Sequence, residues 1–261
     1  MLITGAAGAL GNVARDHLAP LATELRLSDI EPVIDLRPHE QFVQADLGDA
    51  QAMRDLVQGC DGIVHFGGVS VEKGFDVIER ANIRGMFNIY EAARAAGGPR
   101  IVFASSNHAI GFYQTDQRLD GSEAPFADGL YGASKVYGEQ LALVYWQKYG
   151  IETARVRIGS CFPEPRNRRM LSTWLSYNDL FALVERCFVT PRLGCPVIYG
   201  VSQTTSGYWD NSGVAYLGWQ PQDTSEPWRA ALEANEAQDA PDAPNALYQG
   251  GTFTAEPIKG L

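Results

Sequence analysis

In the stretch YGASK, Tyr131 and Lys135 stand four residues apart at the head of an apolar-periodic run that predicts a helix over 130–148. At that spacing two side chains share one helix face, so an ammonium can sit beside a phenol oxygen. A free phenol titrates near ~10, and proton abstraction near neutrality needs a downward shift of roughly two to three units, about 3–4 kcal/mol of preferential stabilisation of the phenolate. A neighbouring lysine cation supplies part of it. The same Y-x-x-x-K spacing also arises by chance on amphipathic helices, where the lysine only snorkels. What lifts it above chance is its order along the chain, after a serine-ended strand, RIVFASSN with Ser105, Ser106 and Asn107, and after a glycine turn at the chain's start.

That start reads MLITGAAGALG, with Gly5, Gly8 and Gly11 between a short apolar run and a helix-period stretch. T-G-x-x-G-x-x-G in this place gives a tight turn, a close approach of backbone to a pyrophosphate, and a helix N-terminus whose free N–H groups face phosphates. Alone it is equally a plain turn. Asp29, closing LRLSDI about 20 residues on, falls where a carboxylate meets the adenosine ribose 2′-hydroxyl. Its followers Ile30, Glu31 and Pro32 bring no cation to greet a 2′-phosphate, so NAD is expected rather than NADP. The positive charge of an oxidised nicotinamide would add to that of Lys135 in favouring a Tyr131 phenolate. Asp46-Leu47, ending FVQADL, and Gly67-Gly68, after VHF, stand where adenine and pyrophosphate would be lined, although each alone is equally strand-end turn chemistry.

The elements that must position these residues are apolar runs at MLIT, LRLSDI, FVQADL, GIVHF, RIVFASS, ARVRIGS and PVIYGVS, alternating with helical stretches over 11–21, 50–58, 75–96, 130–148 and 177–188. Strand and helix in alternation predict a Rossmann-type, doubly wound α/β fold with a mainly parallel sheet. After Arg155 strands thin out and Pro, Gly and Trp rise. The chain thus reads as a single domain over 1–261, with 1–155 mainly a dinucleotide-binding core and 156–261 mainly a small irregular substrate-covering part at the strand ends.

Composition narrows the function. The 21 Lys+Arg against 31 Asp+Glu give a formal charge of -10, which repels phosphate backbones and anionic membranes, so no nucleic-acid or membrane partner is expected. Cys60, Cys161, Cys187 and Cys195 form no C-x-x-C pair, and no metal site or disulfide is expected. There is no signal-like leader and no apolar run of the ~18 residues a membrane span needs, so a cytoplasmic enzyme is expected. Aromatics in the 75–96 and 130–148 helices suit packing between subunits of a homo-oligomer as well as a core.

TGAAGALG, Asp29, NIRGMFNIYEAAR, FASSN and YGASK together resemble the extended short-chain dehydrogenase/reductase superfamily, along most of the chain. HFGGVSVEK, IVFASSNHAIGFY, GLYGASK, VRIGSCFPEP, RMLSTW and QGGTF resemble, within it, the members that oxidise uronic acids. The sequence departs at Ala9, where a larger polar residue is often found. The resemblance implies NAD-dependent oxidation of a cyclic hexuronic acid, galacturonate or glucuronate, at C1 to the aldaro-lactone. It implies that Tyr131 takes the anomeric proton, that Lys135 holds the nicotinamide ribose and lowers the Tyr131 pKa, and that Ser106 bonds the reacting oxygen. It adds Ala9, Leu10, Ile30, Ile158 and Cys161 to the cofactor-facing set. Ser70, Asn107 and His108 then meet ring hydroxyls, and Ser160 with Arg169 closes the carboxylate end. A loop histidine bonded to backbone is the plainer account of His108, and Asn82 is assigned to pinning the active-site helix through backbone bonds.

Of Arg166, Arg168 and Arg169 in CFPEPRNRRMLSTW, the likeness of RMLSTW selects Arg169, with Met170, Leu171 and Trp174 anchoring its loop. Two other functions compete. A nucleotide-sugar epimerase or dehydratase of the same superfamily needs a larger C-terminal part than residues 156–261. A non-catalytic NAD-sensing regulator has no need of Tyr131, Lys135 and Ser106 together.

Overall fold

Buried on both faces, parallel strands are apolar along their whole length rather than alternating, and the apolar runs of this chain become the strands of one sheet. In the computed structural model, which describes residues 1–260, these are β1 (Leu2–Thr4), β2 (Leu25–Asp29), β3 (Glu40–Gln44), β4 (Gly62–His65), β5 (Arg100–Ser106) and β6 (Thr153–Ile158). A two-residue pair, β7 (Ser160–Cys161) with β8 (Trp174–Leu175), precedes β9 (Val197–Gly200). The order β3-β2-β1-β4-β5-β6-β9 is parallel throughout. It reverses at β1, and the crevice beyond the carboxyl ends of β1 and β4 is where such sheets take ligands.

Helices cover both faces. On one, α1 (Ala9–Leu18) packs beside α7 (Tyr177–Val189), with His17 stacked on Phe181 at 4.7 Å. On the other lie α2 (Ala50–Val57), α4 (Gly85–Ala95) and α5 (Leu130–Tyr149), where Met53, Ile89 and Ala142 are wholly buried. The sheet and its core draw on both sides of Arg155, since β9 closes one edge and Leu183, Val184 and Cys187 of α7 join the core beneath β4 and β5. Short helices α6 (Met170–Thr173), α8 (Glu226–Asn235) and α9 (Pro244–Leu247) belong to the irregular remainder. No helix among the described residues is long and apolar enough to cross a membrane.

The helix expected over 75–96 is interrupted. Between α3 (Phe75–Ile78) and α4 the chain makes a π-helical turn over Glu79–Arg84, which carries Asn82. Such turns insert one residue into a helix and re-aim its side chains. Of the aromatics in the two long helical stretches, Tyr90 and Tyr145 are buried and stacked at 4.8 Å, whereas Phe75, Phe87 and Tyr149 are exposed.

Candidate active site

The turn between β1 and α1 needs its glycines for space. A Cβ on Gly5, which has φ +71°, would stand 2.7 Å from Gly67 N, and one on Gly11 would stand 2.1 Å from Gly5 O. Gly8 at the N-cap of α1 offers no side chain to the helix's first N–H groups, which remain available to an anion. Across the crevice, Thr4 Oγ1 bonds His65 Nδ1 at 2.7 Å and accepts from Gly67 N at 3.2 Å, tying the ends of β1 and β4 together. Burial drives His65 down to about 3, so it is neutral.

Asp29 ends β2 with its carboxylate oriented by two backbone donors, Ala7 N at 3.0 Å and Glu31 N at 3.2 Å. Asp46 is not free: it accepts from Gly48 N at 2.7 Å and from Arg80 Nη2 at 2.7 Å. Partial burial pushes its carboxyl up, but the Gly48 N–H and the Arg80 guanidinium outweigh this and hold it below its ordinary value. Nothing local in the sequence pairs Arg80 with Asp46, because the partner arrives through the π-helical turn.

A cavity of about 1180 Å³ opens at the carboxyl ends of the strands. The structure brings the residues expected to face cofactor or substrate onto its wall. Gly5, Gly8, Ala9, Leu10, Gly11, Asp29, Ile30, Asp46, Leu47, Gly67 and Gly68 come from the ends of β1 to β4 and the start of α1. Ser70, Ser106, Asn107, His108, Tyr131, Lys135, Ile158, Ser160, Cys161 and Arg169 come from the following loops, β5, α5 and β6 onward.

Tyr131 and Lys135 occupy the first turns of α5, both buried. Burial pushes the Tyr131 phenol up to about 12, against the pull of a hydrogen bond from Ser106. Lys135 Nζ donates to Ala104 O at 2.8 Å and lies 5.6 Å from the centre of the Tyr131 ring. Burial lowers its ammonium to about 8, with Glu139 opposing. The expectation that Lys135 by itself favours the phenolate is therefore outweighed by desolvation, and the neutral phenol is the resting form.

Ser106 Oγ accepts from His108 N at 3.2 Å. The His108 ring is bonded to a carboxylate rather than to backbone, with Nδ1 2.7 Å from Asp128 Oδ2. It stacks on Phe253 at 3.9 Å and meets the Tyr131 ring edge-on at 5.8 Å. Neither Asp128 nor Phe253 was singled out, although both lie in conspicuous stretches, three residues before YGASK and inside QGGTF. Asn82 binds backbone, as expected, but of the loop after β4: its side chain accepts from Val69 N at 2.7 Å and donates to Val69 O at 3.0 Å. It reaches α5 through Ser134 Oγ, at 2.8 Å.

The three arginines part company. Arg166 lies over the Phe162 ring at 4.0 Å, and Arg168 Nη1 donates to Glu233 O and Glu236 O. Only Arg169 reaches the cavity wall. Its Nη2 donates to Gln249 O at 2.5 Å, and to the Asn107 side-chain oxygen at 3.0 Å in the amide orientation that also lets Asn107 donate to Ile158 O. Its Nε is buried without a partner, and no carboxylate pairs with it among the described residues. Met170, Leu171 and Trp174 are buried beneath, Trp174 Nε1 donating to Phe162 O at 2.8 Å. Ser160 Oγ bonds Thr173 Oγ1 at 2.9 Å.

A glycine-turned crevice at the switch point of a doubly wound sheet, with a Tyr-Lys-Ser group on its wall, defines a dinucleotide-dependent enzyme. The chain belongs to the NAD-dependent epimerase/dehydratase family, whose model matches residues 1–177, within the extended short-chain dehydrogenase/reductases. It is similar to the uronate dehydrogenase of Agrobacterium fabrum (strain C58), 54% identical over 258 residues that cover 99% of this chain and 97% of that protein. A mutant uronate dehydrogenase from Agrobacterium tumefaciens, crystallised in complex with NAD, matches with TM-score 0.97 at 52% identity over 100% of this chain and 98% of the other. A glucuronic acid dehydrogenase from Chromohalobacter salexigens matches with TM-score 0.97 at 52% identity, covering 98% and 97%.

Proposed function

We propose that this protein oxidises a hexuronic acid, galacturonate or glucuronate in its cyclic form, at C1 to the aldaro-lactone. The glycine cradle fits a dinucleotide: any Cβ at Gly5 or Gly11 would collide with backbone, and Asp29 holds a fixed carboxylate at the rim. Gly5, Gly8 and Gly11 would hold the pyrophosphate, Asp29 the adenosine ribose and Lys135 the nicotinamide ribose. When bound, NAD supplies the hydride acceptor.

The chain's own residues manage the rest. As the C1–H bond yields its hydride, Tyr131 Oη takes the proton of the anomeric hydroxyl, leaving a C1 carbonyl in the ring, which is the lactone. Ser106 Oγ hydrogen-bonds the reacting oxygen throughout. Ser70, Asn107 and His108 bind ring hydroxyls and so fix which carbon faces the acceptor. Arg169, with Ser160 beside it, takes the C6 carboxylate, its planar fork matching both oxygens. In this account residues 1–155 chiefly hold the dinucleotide and 156–261 chiefly cover the substrate.

The observation that carries the reading is Arg169. In the same cavity as Tyr131 and Ser106 stands a guanidinium with no carboxylate partner among the described residues. A neutral sugar would offer its charge nothing to meet. Mixing the protein with NAD and a panel of uronic acids, neutral hexoses and nucleotide sugars, and following nicotinamide absorbance, tests this. Uronate-dependent reduction is expected; turnover of neutral or nucleotide sugars with uronates inert would overturn it. The reading includes a cytoplasmic homo-oligomer, with exposed Phe87 and Val144 on α4 and α5 covered by a second copy; light scattering that finds a monomer removes that part alone.

A further inference from the structure

Glu72 is a buried carboxylate, 3% exposed, that pairs with no cation among the described residues. Its oxygens are instead spent on α5. Leu130 N donates to Oε1 at 3.1 Å and Tyr131 N donates to Oε2 at 2.9 Å. The reason lies in the helix's own start. The N-cap of α5 is Gly129, which has no side chain to satisfy the first N–H groups, and no side chain from the helix caps them. Orphan N–H groups at a buried helix end need an acceptor, and a negative charge is the favourable one. Glu72 provides both from another segment.

That segment is the loop carrying Ser70. Three residues before Glu72, Val69 is gripped through both its N–H and its carbonyl by Asn82, which also bonds Ser134 one turn further along α5. Ser70 is thus suspended between two attachments to one helix, at Val69 through Asn82 and at Glu72 directly. The Glu72 carbonyl in turn accepts from Lys259 Nζ at 3.0 Å, which brings the C-terminal tail onto the same loop. Gly129 is the concession that makes the contact fit, because a Cβ there would stand 2.7 Å from Glu72 Oε2.

We propose that Glu72 is a positioning residue, a carboxylate clamp that holds the Ser70 loop and the Tyr131 end of α5 in one fixed relation. The proposal rests on the reading of Tyr131 as base and Ser70 as a sugar-hydroxyl ligand. Two groups that must meet one ring from different segments are only as accurate as the joint between those segments, and displacement by about 1 Å can lower a rate about a hundredfold. The adenosine and pyrophosphate end of the cofactor crevice, built from β1, α1 and Asp29, does not share this joint; of the cofactor-facing residues, only Gly68 and Lys135 lie on the two segments it connects.

Glu72→Gln keeps the shape and one acceptor oxygen but turns an NH2 toward a backbone N–H. Gly129→Ala keeps the carboxylate but pushes it off its seat, so the clamp is tested even where Glu72→Gln fails to fold. In both variants kcat is expected to fall at least about tenfold and KM for uronate to rise, with the Kd of NAD, read by calorimetry, within twofold of wild type. Hydrogen exchange, a readout independent of activity, should show faster exchange at the Leu130 and Tyr131 amides. A kcat and KM within twofold of wild type in both variants, with only thermal stability lowered, overturn the clamp. So does a loss of NAD affinity in step with the loss of rate. A wild-type protein inactive on every uronate would remove the proposed function instead, and unchanged exchange at the two amides in Glu72→Gln would still refute the clamp.

Discussion

Arg169→Ala removes the one guanidinium on the cavity wall that has no carboxylate partner among the described residues. Its Nη2 is anchored by Gln249 O at 2.5 Å and Asn107 at 3.0 Å, so the side chain is already ordered and little conformational entropy is lost when a ligand arrives. A charge-assisted contact that becomes partly desolvated is worth roughly 2–5 kcal/mol, so kcat/KM on galacturonate or glucuronate should fall between about thirtyfold and several thousandfold. Truncation also strands the Gln249 carbonyl and the Asn107 oxygen, about 1–3 kcal/mol each where no water replaces the donor, and some loss of thermal stability accompanies the kinetic loss. The two effects separate by substrate. Measured on galactose or glucose, however slow, kcat/KM should change little, since no carboxylate is there to be read. Arg169→Lys, which keeps the charge and loses the fork, should fall between wild type and alanine. If acid and neutral sugars lose activity in equal proportion, Arg169 only supports the turn at Gln249, and the carboxylate is read elsewhere.

Tyr131→Phe should abolish turnover with the Kd of NAD unchanged; a variant keeping a tenth of the rate, a loss of only ~1.4 kcal/mol, refutes Tyr131 as base. Because burial holds the free phenol up at about 12, wild-type kcat/KM should climb with pH across neutrality, and a flat profile between pH 6 and 9 counts against a titrating base. Asp29→Ala should weaken NAD and improve NADP relatively, read as the ratio of kcat/KM for the two cofactors; an unchanged ratio places the ribose elsewhere. Lys135, lowered by burial to about 8 in the folded protein, binds its proton more weakly there than in the unfolded chain, where it titrates near ~10.4. Between those values the unfolded chain holds more protons, so wild-type stability gains with rising pH, by at most about 3 kcal/mol across the window. Melting temperatures at pH 7 and pH 10 should show that gain in wild type and lose it in Lys135→Met; equal pH slopes in both proteins refute a buried ammonium.

Most of the seven sheet strands were legible because burial on both faces leaves central ones such as β1, β4 and β5 largely apolar, with glycine turns to mark the first crossover; the edge strand β3, EQFVQ, is partly exposed and carries only two apolar residues. Residues at the strand ends were legible for the same reason: once the order is known, Asp29, Gly67 and Ser106 have only one rim to occupy. The π-helical turn at Glu79–Arg84 was not, since one inserted residue barely disturbs a 3.6-residue pattern. Nor were the residues that support the site across long separations. Gln249 donates to Gln114 O and Gln117 O, accepts from Trp209 Nε1 and offers its own carbonyl to Arg169, and no local spacing announces any of these partners. Asp128 shows the ambiguity in miniature. It lies two residues before α5, yet its carboxylate faces His108, and the cap of α5 comes from Glu72, 58 residues away from Leu130.

Charge state is the property spacing predicts worst. Four residues of separation put Lys135 beside Tyr131 and suggest a cation lowering a phenol's pKa; the structure keeps the proximity and changes the sign of the balance. Desolvation acts on both groups at once, pushing the phenol up to about 12 and the ammonium down to about 8, and each shift opposes the charged form that a base-and-cation pair requires. A buried phenol of this kind holds its proton until further positive charge enters. On the proposed reading the requirement falls on the bound state, where an oxidised nicotinamide would add its positive charge to that of Lys135 in favouring the phenolate and would supply the hydride acceptor. On that reading, proton abstraction without cofactor would be disfavoured by the burial of the phenol. A solvent-exchange assay at the substrate's anomeric hydroxyl cannot see this, but the pH dependence of Tyr131 ionisation, followed by ultraviolet difference spectra with and without NAD, can. The phenolate band should appear at lower pH when NAD is present, be absent from Tyr131→Phe, and an identical titration in both states would show that cofactor charge does not reach the phenol.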